Sequence, residues 1–318
     1  MSVNYSPKQV IDDSLTLYYD VSNPKSFKGK PTTNLLLNPQ SFSSWWFYSN
    51  SGSVPSIVDN IEISPYGYQT ADKITLPLGS TYSRIAQNWT PANTNSHTFS
   101  IWAKAASNPC TCEIVCFRNS PWSVSGITTI TITDKWQRFI LSFNPLDTTT
   151  HQIYIGSHDT ATGSIFYMDS AQLEIGTIAT PFVNGARSDT QSLLDMSGNC
   201  VLTPSSSVFN SSGNIVFNGI DSTIVFGTGN SLFPMHEFTM EAWIKTPGLG
   251  SGMGSNGIIG ITYGIGFYLN SAGQLVTRLH DGTSFSSVTL SSNLPDNIYH
   301  HVVAVVSGYT ARVFVDGA

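Results

Sequence analysis

Two antiparallel β-sandwiches of the jelly-roll type, an all-β fold, are expected of this 318-residue chain. Strand-like segments follow one another almost throughout, broken at short intervals by Gly, Pro, Asn and Asp, as at Asn108–Pro109, Asp134–Lys135, Ser197–Gly198–Asn199 and Asp281–Gly282. No segment of useful length carries a helical period, which argues for sandwiches or barrels. At about 100–200 residues per domain, the length allows two domains.

In chain order, Thr98–Ala105, Gly126–Thr133, Arg138–Phe143, Gln152–Ile155 and Ser164–Met168 alternate or run with β-branched and aromatic residues. The same holds for Ile215–Phe217, Thr223–Phe226, Phe238–Ile244, Gly266–Leu269, Ser287–Leu290, His301–Val306 and Arg312–Val315. Helical turns are expected only at Pro7–Ile11 and Ser231–Met235. His-x-Phe followed by Trp-x-Lys occurs twice, ending at Trp102-x-Lys104 and Trp243-x-Lys245. The echo suggests two sandwiches with similar strand chemistry, an aromatic anchor on one face and a solvated Lys on the other.

Composition narrows the function. Lys and Arg number 14 against 20 Asp and Glu, for a net charge of −6, and charged residues make up 11% of the chain. Ordinary soluble domains carry roughly 25%. A nucleic-acid binder would need clustered basic residues to neutralise phosphates. A coiled coil would be rich in Ala, Glu, Lys and Leu. With 12% aromatics, collapse is favoured over disorder. No run of ~18 apolar residues predicts membrane insertion. The first residues, Met-Ser-Val-Asn-Tyr-Ser, lack a basic stretch and an apolar stretch, so synthesis in the cytoplasm without a signal peptide is expected. The four cysteines, Cys110, Cys112, Cys116 and Cys200, are too sparse for a disulfide scaffold.

No Gly-x-Ser-x-Gly, His-Glu-x-x-His or P-loop is present. Asp169 and Glu174 are five residues apart, so on a regular strand they face opposite sides. Cys110, Cys112 and Cys116 share parity, but adjacent thiolates on a strand diverge, and buried small hydrophobes are the preferred reading over a Zn²⁺ site. His300 and His301, as strand neighbours, point to opposite faces and do not chelate jointly. Sugar binding would need exposed aromatics. The candidates are Trp122, Trp45, Trp46, Tyr66 and Tyr68, with Tyr48 and Trp89 beside them. Only one of Trp45 and Trp46 can face a core. Trp122, in the turn-rich Asn119–Ser123, is the least easily explained as core. The alternative for each is packing in the sandwich or a subunit interface.

Several segments resemble known families. Asn34–Leu36, Phe42–Trp46, Pro65–Lys73, Phe99–Lys104, Trp136–Arg138, Ile165–Tyr167, Ala171–Glu174 and Ala179–Val183 make residues 34–183 resemble the carbohydrate-binding-module-like jelly rolls common in phage structural proteins. Leu194–Asn199, Val216–Gly219 with Ile224–Val225, Phe238–Ile244, His300–Val302 and Val315–Gly317 make residues 190–318 resemble the laminin-G, concanavalin A-like lectin domain. Asn218 stands where that family usually has Asp.

The resemblances imply a domain plan: an N-terminal segment 1–33, a jelly roll 34–183, a connector 184–199 and a lectin sandwich 200–318. Leu15–Asp20 and Asn23–Phe27 look like the lectin family's opening strand. Either the jelly roll is inserted into the lectin domain, or residues 1–33 form an independent arm. Asp316–Gly317 reads as a hairpin turn, so the second sandwich is expected to be incomplete at residue 318 and to continue beyond it.

The Glu-x-Asp-x-Glu string of concanavalin A-like glucanases is missing, which points away from an enzyme. No cofactor is implied except a structural Ca²⁺, with Asp169 and Asp221 as candidate ligands; turn-forming Asp is the plainer alternative. The function implied is a structural component of a phage virion, such as a tail-fibre, baseplate or head-decoration protein, that adheres to host-surface glycans. Its partners would be copies of itself, other virion proteins and glycans. A free lectin, or the binding portion of a glycan-degrading enzyme, is the alternative.

Overall fold

The computed structural model describes residues 15–49, 53–77, 82–158, 164–205, 208–209, 215–218, 221–227, 237–245, 257–260, 266–280, 285–294, 297–308 and 310–318. The described chain is all-β with several antiparallel sheets, as the alternation predicts. The expected helical turns at residues 7–11 and 231–235 lie outside the described residues. Among the described residues, the helical elements are a 3-10 turn at Phe42–Ser44 and one turn, α1, at Asp189–Ser192. Among the described residues, no helix is long and apolar enough to cross a membrane.

The chain divides into two compact units. The first comprises Lys28–Ser192. Its strands are β1 (Thr32–Thr33), β2 (Trp46–Ser49), β3 (Ser56–Glu62), β4 (Ala71–Thr75), β5 (Tyr82–Trp89) and β6 (His97–Ala105). They continue with β7 (Cys110–Arg118), β8 (Ser123–Ile132), β9 (Gln137–Phe143), β10 (His151–His158), β11 (Ile165–Ile175) and β12 (Ala186–Arg187). Two five-stranded sheets result: a front sheet ordered β2-β5-β10-β7-β8 and a back sheet ordered β3-β4-β11-β6-β9.

Alternation explains the layering. On β6, Phe99, Ile101, Ala103 and Ala105 enter the core while Ser100, Trp102 and Lys104 turn away. On β7, Cys112, Ile114 and Cys116 enter the same core, so the cysteines pack as small hydrophobes, and all four in the chain are free. Burial pushes the Cys116 thiol up to about 12, which leaves it protonated and inert. Phe42, Phe99 and Phe166 are fully buried, and each contributes about 1.5–3 kcal/mol through removal from water.

A bulge on β11 changes the expected parity. Asp169 pairs with Trp102 and Gln172 with Ser100, so three residues on β11 span two on β6. Ser170 takes a positive φ of 54° there. Asp169 and Glu174 therefore lie on the same outer face of the back sheet, not on opposite faces as regular spacing predicts. Asn34 locks this irregular stretch: its amide donates to Ala171 O (2.9 Å) and Val183 O (3.2 Å), and its Oδ1 accepts from Leu173 N (3.1 Å).

The second unit comprises residues up to Phe27 together with the described residues from Leu193 onward. Its strands are β13 (Thr203–Pro204), β14 (Ile224–Val225), β15 (Glu237–Lys245), β16 (Gly257–Gly260), β17 (Gly266–Leu269), β18 (Gln274–His280), β19 (Phe285–Asn293), β20 (Tyr299–Ser307) and β21 (Thr310–Val315). They form a β13-β14 pair, a β15-β20-β21 sheet and a β16-β17-β18-β19 sheet. Met240, Leu269, Leu275, Leu294, Val302 and Ala304 make its core.

Asp195 ties the N-terminal segment into this unit. Its Oδ1 accepts from Tyr18 N (2.8 Å) and its Oδ2 from Cys200 N (2.9 Å) and Ser197 Oγ (2.7 Å). Burial pushes this carboxyl up, but the bonds from Tyr18, Ser197 and Cys200 together hold it below the ordinary carboxylate value. Met196 N donates back to Tyr18 O (2.6 Å).

The Trp-x-Lys echo behaves differently from expectation. Trp243 is 69% exposed and shares its face with Lys245, whose ammonium sits 5.6 Å over Tyr299. Residues two apart on a strand share a face, so Trp and Lys cannot divide between core and solvent. The same parity places Trp102 with Lys104 on the outer face of the back sheet.

Candidate functional site

The outer face of the front sheet carries the candidate site. Across the strands, Trp46 pairs with Ala86, Ala86 with Tyr154 and Tyr154 with Val115. The next outward row runs Tyr48, Arg84, Gly156 and Glu113. On the other side of Trp46, Asn88, Gln152 and Phe117 line up. Strand order thus gathers residues 46, 84, 117 and 154 from four distant parts of the chain. The lining encloses a groove of about 480 Å³, edged by Trp46, Arg84, Asn88, Phe117, Asn119 and Gln152. That volume lies within the range of small-ligand sites.

Arg84 occupies the centre. Its guanidinium carbon lies 5.7 Å from the Trp46 ring centroid, 5.0 Å from Tyr48, 5.2 Å from Phe117 and 4.9 Å from Tyr154. These distances are within cation–π range. Burial raises the Tyr154 phenol above its ordinary value. Gly156 makes the arrangement possible: a Cβ there would clash with Ser83 O and lie 2.7 Å from Arg84 Cβ. At one end of the groove, Gln152 Nε2 donates to Asn88 Oδ1 (2.9 Å), and Asn119 Nδ2 donates to the same oxygen (3.4 Å).

The candidate aromatics separate. Trp46 is 49% exposed and its ring stacks on Tyr48 at 5.6 Å. Trp122 is 66% exposed and its ring lies 6.0 Å from Phe117, which places it beside the groove. Arg118 holds that turn by donating to Pro121 O (3.0 Å) and pairing with Asp147 (2.7 Å). Trp45 is 4% exposed and packs on Phe42 at 5.1 Å, because alternation turns it inward when Trp46 faces out, yet it also lines the floor of the groove. Trp89 is core as well, packed among His97, Phe143 and His151.

Tyr66 and Tyr68 do not join the groove. Tyr66 leans edge-on over Trp102 and against Phe182, on the back-sheet side. Tyr68 is exposed in the turn that follows β3. Sequence reading missed Arg84, Phe117, Tyr154, Asn88 and Gln152. The outward parity of Arg84 beside Ile85 was a usable local signal; its four ring partners were not visible in any local pattern.

The calcium candidates hold hydrogen bonds. Asp169 is fully buried and accepts from Thr70 Oγ1 (2.7 Å), Gln40 Nε2 (3.3 Å) and Ser170 Oγ. Asp221 is exposed and closes a turn with Asn218, whose Nδ2 donates to it at 2.7 Å. Ca²⁺ takes six to eight oxygens; both carboxylate oxygens of Asp169 already serve donors, and Oδ1 of Asp221 serves Asn218. Among the described residues, no group of three or more His, Cys, Asp or Glu could hold a metal. His300 and His301 diverge: His300 Nδ1 meets Asp316 Oδ2 at 2.7 Å, and His301 Nε2 meets Glu241 at 3.5 Å.

No curated protein matches the chain. Among solved structures, the chain is similar to a CBM4 structure at 19% identity, covering 48% of this chain and 98% of that one, with a TM-score of 0.35. It is similar to the CBM22-1 xylan-binding domain of Paenibacillus barcinonensis Xyn10C at 13% identity, covering 48% and 99%, with a TM-score of 0.35. A third likeness, to the enzymatically active domain of bacteriophage CBA120 tailspike protein 4, has 12% identity and a TM-score of 0.36, covering 45% of this chain and 21% of that one. Residues 218–318 match the laminin G type of the Concanavalin A-like lectin/glucanases superfamily.

Proposed function

We propose that the outer face of the front sheet binds a glycan chain without cleaving it, and that the protein serves as an adhesive structural component of a phage virion. The groove carries the reading: an exposed Trp46 beside amides of Asn88, Asn119 and Gln152 in about 480 Å³. A flat indole offers apolar surface to a sugar ring, and the amides offer donors and acceptors to its hydroxyls. None of the residues lining the groove is Asp or Glu, whereas glycoside hydrolysis ordinarily needs two carboxylates flanking the bond.

The virion role rests on the sequence resemblance of residues 34–183 and on the low charge, which limits repulsion between copies. The same resemblance, with the Tyr18–Asp195 bond, supports insertion of the jelly roll between the N-terminal segment and the lectin unit.

A glycan array with the intact protein tests the binding, with Trp46→Ala as control. Signal lost in the variant supports it; unchanged signal in the variant overturns this site. Sedimentation of phage-infected lysates tests the role: the protein should travel with particles, and a wholly soluble pool would favour the free lectin.

A further inference from the structure

Resting on that reading of the groove, we propose that its glycan is acidic, and that Arg84 receives a sugar carboxylate.

Arg84 differs from the other arginines of its unit. Arg118 pairs with Asp147 at 2.7 Å. Arg138 donates to Ser100 Oγ (2.8 Å) and Thr180 O (2.5 Å), and Arg187 to Pro181 O (2.6 Å). Arg84 makes no ion pair with a carboxylate among the described residues, and its Nε, like that of Arg138, is buried without a hydrogen-bond partner. Four aromatic rings surround its positive charge, and the Tyr154 hydroxyl also hydrogen-bonds to it. These contacts hold the guanidinium in place but leave its Nε–H unmade. A planar two-oxygen anion would satisfy that group, and a carboxylate matches the guanidinium fork.

A second unpaired group lines the same groove. Gln152 is 5% exposed, and its Oε1 has no partner while its Nε2 is taken by Asn88. A buried donor and a buried acceptor left unmade at two points of one groove are each costly to stability. A ligand carrying both a carboxylate and hydroxyls would satisfy them together.

The test is calorimetric titration of the whole chain with matched pairs: trigalacturonate against its carboxyl-reduced form, trimannuronate against its carboxyl-reduced form, and sialyllactose against lactose. The acidic member of at least one pair should bind about tenfold tighter than its neutral partner. Arg84→Gln should bring that ratio to within twofold, and Arg84→Lys should keep part of it; melting curves confirm folding, and the Lys variant stands alone if the Gln variant fails to fold. Neutral partners binding as tightly as the acidic ones in every pair overturn this inference and leave the glycan reading intact. The same holds if the preference survives Arg84→Lys undiminished and Arg84→Gln as well. Failure of all six sugars together with a blank glycan array overturns the glycan reading, and this inference with it.

Discussion

The front and back sheets of the first unit have the same number of strands and share one core, yet their outer faces differ. The back face is clad. Residues 28–36 and 176–187 lie over it, and Glu174 collects Thr180 N (2.8 Å), Thr180 Oγ1 (2.8 Å), Thr32 Oγ1 (2.9 Å) and Gln172 Nε2 (2.5 Å). Arg138 and Arg187 fix the covering strand through backbone carbonyls. Burial lowers both guanidinium pKa values below the ordinary arginine value. The front face is bare, and Arg84 Nε and Gln152 Oε1 are left unmade there; Arg138 Nε and Trp102 Nε1 are unmade as well, but beneath the cladding of the back face. A buried polar network stabilises only when complete; an incomplete one on an open face is what a ligand site looks like.

The comparison breaks first at Glu174. Glu174→Ala removes the acceptor of four donors under the cladding and strands Thr180 N and Thr32 Oγ1, with an expected loss of about 3 kcal/mol from unsatisfied buried groups, read by denaturant unfolding. A loss no larger than that of a surface substitution would show that the back face is not locked as described. On the front face the expectation reverses. Trp46→Ala should weaken glycan binding at least tenfold, about 1.4 kcal/mol, while stability changes by less than about 1 kcal/mol. A front-face variant that unfolds the protein instead would erase the contrast.

Acidification sharpens it further, because the shared interior responds and the faces do not. Burial holds the His97 imidazole below its ordinary value of 6.5, and its Nδ1 lies 2.7 Å from Asn95 O. The unfolded chain takes up the proton first as pH falls below 6.5, so stability declines from there downward. Melting curves between pH 7 and pH 5 should show the decline, and His97→Gln should flatten it. The smallest effect concerns Asp169, under the back-face cladding. With its oxygens occupied by Thr70, Gln40 and Ser170, adding Ca²⁺ or a chelator should move the melting temperature by about 1 °C or less. A rise of several degrees with Ca²⁺, equivalent to more than about 1 kcal/mol, would show that a cation displaces those donors.

Much of the strand content was legible. The segments at 98–105, 126–133, 138–143 and 301–306 alternate clearly and are strands. Strands at 71–75, 82–89 and 274–280 escaped because Asp72, Arg84 and Thr277 interrupt any simple apolar pattern, although Asp72 and Thr277 are buried. Asp72 is tolerated inside because Phe42 N and Asn60 N donate to it at 2.8 Å.

By itself, the sequence determined that the protein is all-β and that Trp45 and Trp46 must part company. Both follow from a side-chain period of two, which is a local property of the backbone. Only the tertiary structure decided which of the two turns inward. It also decided that one bulge would bring Asp169 and Glu174 to one face, and that Arg84 would meet four rings from three other strands. Those outcomes depend on register between segments far apart in the chain and on where the connecting segments lie. Long-range pairing sets both, and no local pattern of residues encodes them.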